Sequence, residues 1–203
     1  MLHLAANLED KPVLVVGAGA VGAHKAGLLV EAGGIVTVIA AEVLAPLPRG
    51  LASLEVRPYR TGDLRGFALV VSATGDEATN DRIVAEATAE RTWLNVVDDP
   101  ARSTFFFTAT HRSGDVVVSV STEGASPALA QVLRTRIAAA LPANLADVAS
   151  RLRAERQAMH RGRQSTERVD WTPRILELLD AEEAEARPGG PAASVRTAAS
   201  TSA

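Results

Sequence analysis

The sequence predicts an α/β protein: a parallel sheet with helices, followed by a small α+β region and carboxyl-terminal helices. Short apolar runs alternate with helical patterns over roughly the first 100 residues, as in proteins with a parallel sheet. Hydrophobic residues make up 47% of the chain and aromatic residues only 3%, so aliphatic side chains must fill the core. Such a composition is typical of strands that are buried on both faces. Farther along the chain, two β-rich runs flank a turn, which indicates a hairpin.

The first strand is predicted over residues 13–16, a continuous apolar run. A helix over residues 20–32 and a strand over 35–39 complete a βαβ unit of the expected size. The alternation then continues with strands over 54–59, 68–73 and 93–97 and a helix over 77–90.

After the last of these strands, the sequence predicts a smaller α+β region. Two β-rich runs, residues 104–110 and 116–121, flank a turn over 111–115. Ser126 and Pro127 then start a helix, as its N-cap and first helical residue. Two more helices are predicted over 145–159 and 171–186, and the Pro-, Gly-, Ala- and Ser-rich residues 187–203 are predicted to be a disordered tail.

Composition excludes several classes of function. The chain has no cysteine, so a disulfide framework, a thiol nucleophile and thiolate metal sites are excluded. A net charge of −3 gives no case for nucleic acid as a partner. The four histidines lack the paired spacing of a metal site, so we expect no bound metal. We find neither a signal peptide nor an apolar run that could cross a bilayer, and we expect a cytoplasmic protein without a membrane partner.

The glycine turn Gly17-Ala-Gly19-Ala-Val-Gly22 joins the first strand to the first helix and predicts a Rossmann-type nucleotide site. The first glycine permits the tight turn, the second lets a pyrophosphate approach the backbone, and the third allows close helix packing. The amides of Ala20 and Val21 belong to a helix N-terminus that can bind the phosphates. A purely structural glycine turn is the weaker alternative.

The cofactor is predicted to be NAD rather than NADP. An acid at the end of the second strand usually binds the ribose hydroxyls in NAD sites. Here Ala41 and Glu42 follow that strand, and no arginine comes directly after them to hold a 2′-phosphate. The alternative, that Glu42 is a solvated loop residue, is nearly as well supported.

The chain resembles the precorrin-2 dehydrogenase/sirohydrochlorin ferrochelatase family, the amino-terminal part of siroheme synthases. Four segments carry this resemblance, in the order and spacing of the family across roughly residues 1–160. They are residues 15–29, which include the Lys25-Ala26 step; Ser72-Ala-Thr-Gly-Asp76 with Asn80; Asn95-Val-Val-Asp-Asp-Pro100; and residues 118–130, which include Ser126-Pro-Ala-Leu-Ala130.

The resemblance implies an NAD-dependent oxidation of precorrin-2 to sirohydrochlorin, which some members follow with insertion of ferrous iron. It also implies a homodimer and a stand-alone form, because the methyltransferase domain of the fused synthases is missing. Ala73 and Thr74, in the second segment, are expected to contact the cofactor. The domains are then a Rossmann domain over 1–112, a dimerisation region over 113–148, a helical region over 149–186 and the tail.

Asp98 is the candidate catalytic residue. It follows a buried strand at the carboxyl edge of the predicted sheet, where open α/β sheets bind ligands. The resemblance implicates this aspartate in both the dehydrogenase and the chelatase step, where a carboxylate can accept a proton from the macrocycle. The alternative is that Asp98 caps the turn before Pro100. Asp99 is a second candidate beside it.

Thr122 and Arg102 are the candidate substrate-binding residues. Thr122 falls where the family often has Ser or Thr, and a sheet-edge hydroxyl is the competing interpretation. Cationic side chains should meet the carboxylates of the tetrapyrrole, whereas His24 and Lys25 are expected on a solvated helix face. Glu123 departs from the glycine that many members carry.

The competing function is an NAD-sensing regulatory module without catalysis, for which Gly17–Gly22 and the dimer region would suffice.

Overall fold

A computed structural model describes residues 1–185, and the predicted tail over 187–203 lies outside this range. The chain forms two compact units, Met1–Phe107 and a second unit that begins at Thr108. The first is a five-stranded parallel sheet with helices on both faces, so the predicted α/β Rossmann-type fold is confirmed.

The first unit begins with β1 (Pro12–Ala18), which runs into α1 (Ala20–Glu31). The remaining elements are β2 (Ile35–Val43), β3 (Ser53–Val56), β4 (Leu69–Ser72), α2 (Glu77–Glu90), β5 (Trp93–Val96) and a 3-10 helix (Pro100–Arg102). The strand order β3-β2-β1-β4-β5 reverses its direction between β1 and β4. A ligand crevice is expected at the carboxyl ends of the strands at such a reversal.

The aliphatic core lies on both faces of the sheet, as the composition predicts. Val13 and Val15 point to one face and pack with Ala26 and Leu29 of α1. Leu14 points to the other face, where Ile83 and Ala87 of α2 are buried. Alternate residues of β1 therefore bury opposite faces, which explains why this strand reads as a continuous apolar run.

The second unit contains an antiparallel hairpin, β6 (Ala109–Ser113) and β7 (Val116–Val120), followed by three helices. These are α3 (Pro127–Ala140), α4 (Leu145–Arg161) and α5 (Thr172–Glu185). The helix α3 packs on the hairpin, and Asn144 Nδ2 donates to the carbonyl oxygen of Leu178 at 3.0 Å, which ties the start of α4 to α5.

The predicted strand over residues 104–110 is wrong for 104–108, because only Ala109 and Thr110 of this run belong to β6. Thr104 instead covers the outer edge of β5: its amide donates to the carbonyl oxygen of Leu94 at 2.7 Å, and its hydroxyl accepts from the Leu94 amide. Phe105 and Phe107 pack on the core of the first unit. The apolar character of this segment therefore reflects burial against the sheet, not strand pairing.

Two predicted boundaries also differ from the structure. The hairpin turn is only the pair Gly114-Asp115, because Ser113 already pairs with Val116, and β6 therefore includes residues that were predicted to lie in the turn. The first unit ends at Phe107, whereas the predicted domain ends at residue 112. A boundary between 148 and 149 would cut through α4.

Candidate functional site

Gly17 ends the apolar part of β1 in a conformation that only glycine adopts easily. Its φ is +106°, and a Cβ atom there would lie 2.7 Å from the carbonyl carbon of Ala73. The fold alone therefore requires glycine at this position, because any side chain would meet the backbone that follows β4.

Gly22 lies in the first turn of α1 and contacts the glycine turn. A Cβ atom there would lie 2.9 Å from the carbonyl carbon of Gly17, and closer still to its oxygen. Glycine lets α1 start directly against the end of β1, which is the close helix packing expected of the third glycine.

Gly19, the N-cap of α1, is a glycine that the fold does not require. Its φ is −78°, and a Cβ atom there would have no neighbour within 4 Å. No side chain caps α1 and no acid lies in its first turn, so the amides of Ala20, Val21 and Gly22 have no intrahelical partner. Open space above free amides fits a dinucleotide pyrophosphate, which explains a glycine that packing does not.

Ala41 and Glu42 lie inside β2, which continues to Val43 and is longer than the sequence predicts. Val43 pairs with Ala18, and the amides of Leu44 and Ala45 also donate to the Ala18 carbonyl oxygen. The end of β2 thus runs beside the glycine turn, with exposed side chains at 41 and 42. A contact of Glu42 with a ribose stays a prediction.

Ala73 and Thr74 follow β4, next to the glycine turn. The Ala73 amide donates to the carbonyl oxygen of Val16 at 2.8 Å. Asn80 of α2 holds this segment with two hydrogen bonds. Its Oδ1 accepts from the buried Ser72 hydroxyl at 2.6 Å, and its Nδ2 donates to the Thr74 carbonyl oxygen at 3.3 Å. In the sequence, Asn80 is only part of the family resemblance; the structure shows that it holds the segment after β4 in place.

Asp98 lies at the same edge of the sheet, two residues after β5. The Val97 amide donates to the carbonyl oxygen of Ser72 at 2.9 Å, which holds the turn beside β4. Asp98 is exposed and has a φ of +61°, a left-handed conformation that Asp tolerates better than most residues. Within residues 1–185, its carboxylate has no hydrogen bond and no salt bridge at 4 Å or less.

The capping role considered for Asp98 belongs to Asp99. The Asp99 carboxylate accepts from the Arg102 amide at 3.1 Å and caps the 3-10 helix. It also pairs with the Arg102 guanidinium, and this hydrogen bond holds the pKa of Asp99 below its usual value. The Asp99 carboxylate is therefore bound to Arg102, whereas the Asp98 carboxylate is exposed and can bind a ligand.

Arg102 is surrounded by carboxylates. Besides Asp99, its guanidinium binds Asp81 at 2.9 Å and Glu77 at 2.6 Å, and the hydrogen bonds to Asp99 and Glu77 raise the pKa of Arg102. The side chain ties α2 to the segment after β5. Its predicted contact with the substrate stays a prediction; three of the five N–H donors of the guanidinium are used by these carboxylates.

Lys25 does not lie on a solvated face, so that expectation is wrong, whereas His24 beside it is exposed. Lys25 is half-buried, and its Nζ lies 3.9 Å from the centroid of the Phe107 ring. Burial lowers the pKa of Lys25, while the negative charge of Asp98 acts in the opposite direction. The helical pattern missed this contact because Phe107 belongs to the segment that was predicted to be a strand.

Thr122 belongs to the second unit, where its hydroxyl closes the loop before α3. The hydroxyl donates to the Ser126 carbonyl oxygen at 3.0 Å and accepts from the Ser126 amide at 3.1 Å. The Ser126 hydroxyl accepts from the Leu129 amide at 3.1 Å, which confirms Ser126 as the N-cap of α3. A substrate contact of Thr122 stays a prediction.

Residues 1–185 contain neither a metal cluster nor a membrane-spanning helix. No group of three or more His, Cys, Asp or Glu side chains is arranged to hold a metal ion. No helix combines the length and apolar character that crossing a membrane requires.

Comparison with known proteins identifies a nucleotide-binding family. A family model described as "Putative NAD(P)-binding" matches residues 4–109. The siroheme synthase of Methylococcus capsulatus is 41% identical over 152 residues, which are 73% of this chain and 32% of that protein. The siroheme synthase of Ectopseudomonas mendocina is 40% identical over 151 residues, 73% of this chain and 33% of that protein. The chain therefore spans about a third of the length of these curated relatives.

A solved structure has the same fold. The precorrin-2 dehydrogenase SirC superposes with a TM-score of 0.66 over 89% of this chain and 88% of that one, at 22% sequence identity. The predicted resemblance to the siroheme synthase family and the predicted nicotinamide dinucleotide cofactor are thus confirmed. The family model covers more than half of the chain, and the protein belongs to this NAD(P)-binding family.

Proposed function

We propose that the protein catalyses the NAD-dependent oxidation of precorrin-2 to sirohydrochlorin, a step of siroheme biosynthesis. One observation carries the proposal: the open glycine turn at Gly19 and the carboxylate of Asp98, which is unpaired among residues 1–185, both lie at the carboxyl edge of one parallel sheet. The similarity to siroheme synthases supports the substrate.

The reaction removes a hydride and a proton from the substrate. When bound, the nicotinamide dinucleotide supplies the hydride acceptor. The glycine turn and the first amides of α1 would bind its pyrophosphate, and Asn80 would hold the Thr74 segment against it. The carboxylate of Asp98 would accept the proton, because it is exposed and follows β5 at the carboxyl edge of the sheet.

NAD is the proposed form of the cofactor. Glu42 lies near the end of β2 with an exposed carboxylate, beside the glycine turn. A carboxylate there can accept hydrogen bonds from ribose hydroxyls and would repel the 2′-phosphate of NADP.

A homodimer is part of the proposal, together with a cytoplasmic location. The helix α3 exposes large apolar side chains along one face: Leu129 is 48% exposed, Val132 50%, Leu133 36% and Ile137 37%. An exposed apolar stripe of this kind is typical of an interface, and Ala130 is the one buried residue of this helix. A second copy of the chain fits it, because a two-fold axis would bring two identical apolar stripes together.

We also propose insertion of ferrous iron into sirohydrochlorin as a second step at the same carboxylate. Iron would be a substrate here, held only during insertion. Asp98 could take the pyrrole protons that iron replaces, because it has no other partner in the described residues.

The test is to incubate the purified protein with precorrin-2 and NAD⁺ and to follow the absorbance of sirohydrochlorin and NADH. Asp98→Asn is the informative variant, because Asn tolerates the left-handed backbone but cannot accept the proton. We expect the variant to lose about 100-fold or more in kcat, the scale of general-base catalysis, and to bind NAD⁺ as the wild type does. Full activity of the variant would remove Asp98 from the mechanism. NAD⁺ binding by an inactive wild type would favour the NAD-sensing module.

A further inference from the structure

We propose that the Lys25 ammonium binds a carboxylate side chain of the tetrapyrrole and thereby sets the macrocycle against Asp98. The inference rests on the proposed function, because it names a contact within that substrate site. It assigns a substrate-binding role to a residue that the sequence pattern predicts to be solvated.

Lys25 is one of two lysines in a chain whose other cationic side chains, apart from histidines, are arginines. It lies in the second turn of α1, and side chains of a helix lean toward its N-terminus. The N-terminus of α1 faces the carboxyl edge of the sheet, where the turn after β5 carries Asp98. The position thus directs the lysine toward the edge at which ligands bind.

The ammonium of Lys25 lacks a counterion at close range. Among residues 1–185, no carboxylate lies within 4.0 Å of its Nζ, which instead lies 3.9 Å from the centroid of the Phe107 ring. Asp98 acts on it only through its electrostatic field. Half-burying a cation without a paired anion is unfavourable, and an aromatic face compensates only in part. A bound anion would supply the counterion that the Lys25 ammonium lacks.

A substrate carboxylate fits this position better than a dinucleotide phosphate. The phosphates already have a binding element in the free amides after Gly19, at the first turn of α1. Lys25 lies one turn farther along and contacts Phe107, in the segment that follows β5 and Asp98. Precorrin-2 and sirohydrochlorin carry several carboxylate side chains around the macrocycle, and the one at Lys25 would fix the distance of the ring from Asp98.

The two lysines allow a binding test that does not depend on turnover. The protein would be acylated briefly with acetic anhydride, alone, with NAD⁺ or with sirohydrochlorin, and Lys11 and Lys25 would be quantified by peptide mass spectrometry. We expect sirohydrochlorin to slow the acylation of Lys25 several-fold and to leave the exposed Lys11 unchanged. Protection by NAD⁺ alone would assign Lys25 to the phosphates and overturn the proposal, as would the absence of protection.

Variants give the second test. Lys25→Met keeps the aliphatic stem on Phe107 but removes the charge, and Lys25→Arg keeps the charge. We expect Lys25→Met to raise the Kd for sirohydrochlorin and the KM for precorrin-2 by about 10- to 100-fold, the range of a charge-assisted hydrogen bond. The Kd for NAD⁺ should stay unchanged, and Lys25→Arg should restore most of the affinity.

Lys11→Met is the matched control, since Lys11 is exposed just before β1, at the amino end of the sheet, and its removal changes the net charge equally. A Lys25→Met protein that folds and binds sirohydrochlorin as tightly as Lys11→Met would overturn the inference. A wild type that protects Lys25 with sirohydrochlorin but does not oxidise precorrin-2 would overturn the proposed function and keep the binding role.

Discussion

Gly22 packs against Gly17: a Cβ atom at Gly22 would lie 2.9 Å from the carbonyl carbon of Gly17, whereas a Cβ atom at Gly19 would meet nothing within 4 Å. The three glycines of one motif therefore have different reasons to be glycine. The fold requires the outer two, whereas the middle one has open space around it, where we propose that the cofactor pyrophosphate binds.

Gly19→Asp should fold as the wild type does and lose NAD⁺ binding. Its φ of −78° suits any residue, and the new side chain has room. A carboxylate above the free amides of α1 would, however, occupy the pyrophosphate position and repel its charge. Isothermal titration calorimetry with NAD⁺ checks the affinity, and the melting temperature checks the fold. Unchanged affinity would contradict the placement of the cofactor.

Gly22→Ala should behave in the opposite way and destabilise the protein. Its methyl group would overlap backbone atoms of Gly17, which cannot move as a flexible side chain can. We expect a loss of about 1–3 kcal/mol, the usual cost of overpacking. Urea denaturation measures it, with Gly75→Ala as the control, because a Cβ atom there has open space.

Asn80→Ala should weaken both stability and NAD⁺ binding. The change leaves the buried Ser72 hydroxyl without its acceptor and frees the carbonyl group of Thr74. An unsatisfied buried group costs about 1–3 kcal/mol. Thr88→Ala, at an exposed position of the same helix, controls for helix propensity. If the two variants bound NAD⁺ equally well, Asn80 would have only a structural task.

Lys25 should make the free energy of unfolding depend on pH in the alkaline range. Burial lowers its pKa in the folded protein, against about 10.4 in the unfolded chain. Between these values the unfolded chain binds more protons, so stability rises with pH through this window. The burial of the Lys25 ammonium destabilises the folded protein fully below the pKa of the folded state, and this loss disappears above the pKa of the unfolded chain. Urea denaturation at several pH values should show this rise in Lys11→Met and lose it in Lys25→Met.

Val132→Asp should convert a dimer into a monomer without unfolding it. Val132 is half-exposed on α3, so a carboxylate is tolerated in the single chain but not between two apolar stripes. Analytical ultracentrifugation distinguishes the two states. Gln131→Asp is the control, because it adds the same charge at an exposed position on the other side of α3. A monomeric wild type, or a dimeric Val132→Asp, would refute the interface.

Most of the first unit could be predicted from local patterns. The helix over 77–90 has the predicted bounds, because Asp76 caps it and Arg91 ends it in a left-handed conformation. The strand over 104–110 could not be predicted correctly, since Phe105 and Phe107 are apolar for a reason that lies elsewhere in the chain. Strand and covering segment bury similar side chains, and periodicity over a few residues does not distinguish them.

The sequence by itself determined the parallel sheet, the glycine turn and the candidate aspartate, because apolar period, glycine spacing and strand ends are local properties. Only the tertiary structure decided which of two adjacent acids is free. It paired Asp99 with Arg102 and left Asp98 exposed. It also moved Lys25 from a solvated face to the ring of Phe107. The Lys25 contact joins residues far apart in sequence, and Arg102, although it is close to Asp99 along the chain, is also held by Glu77 and Asp81 of α2. These arrangements of burial and charge exist only once the chain has folded.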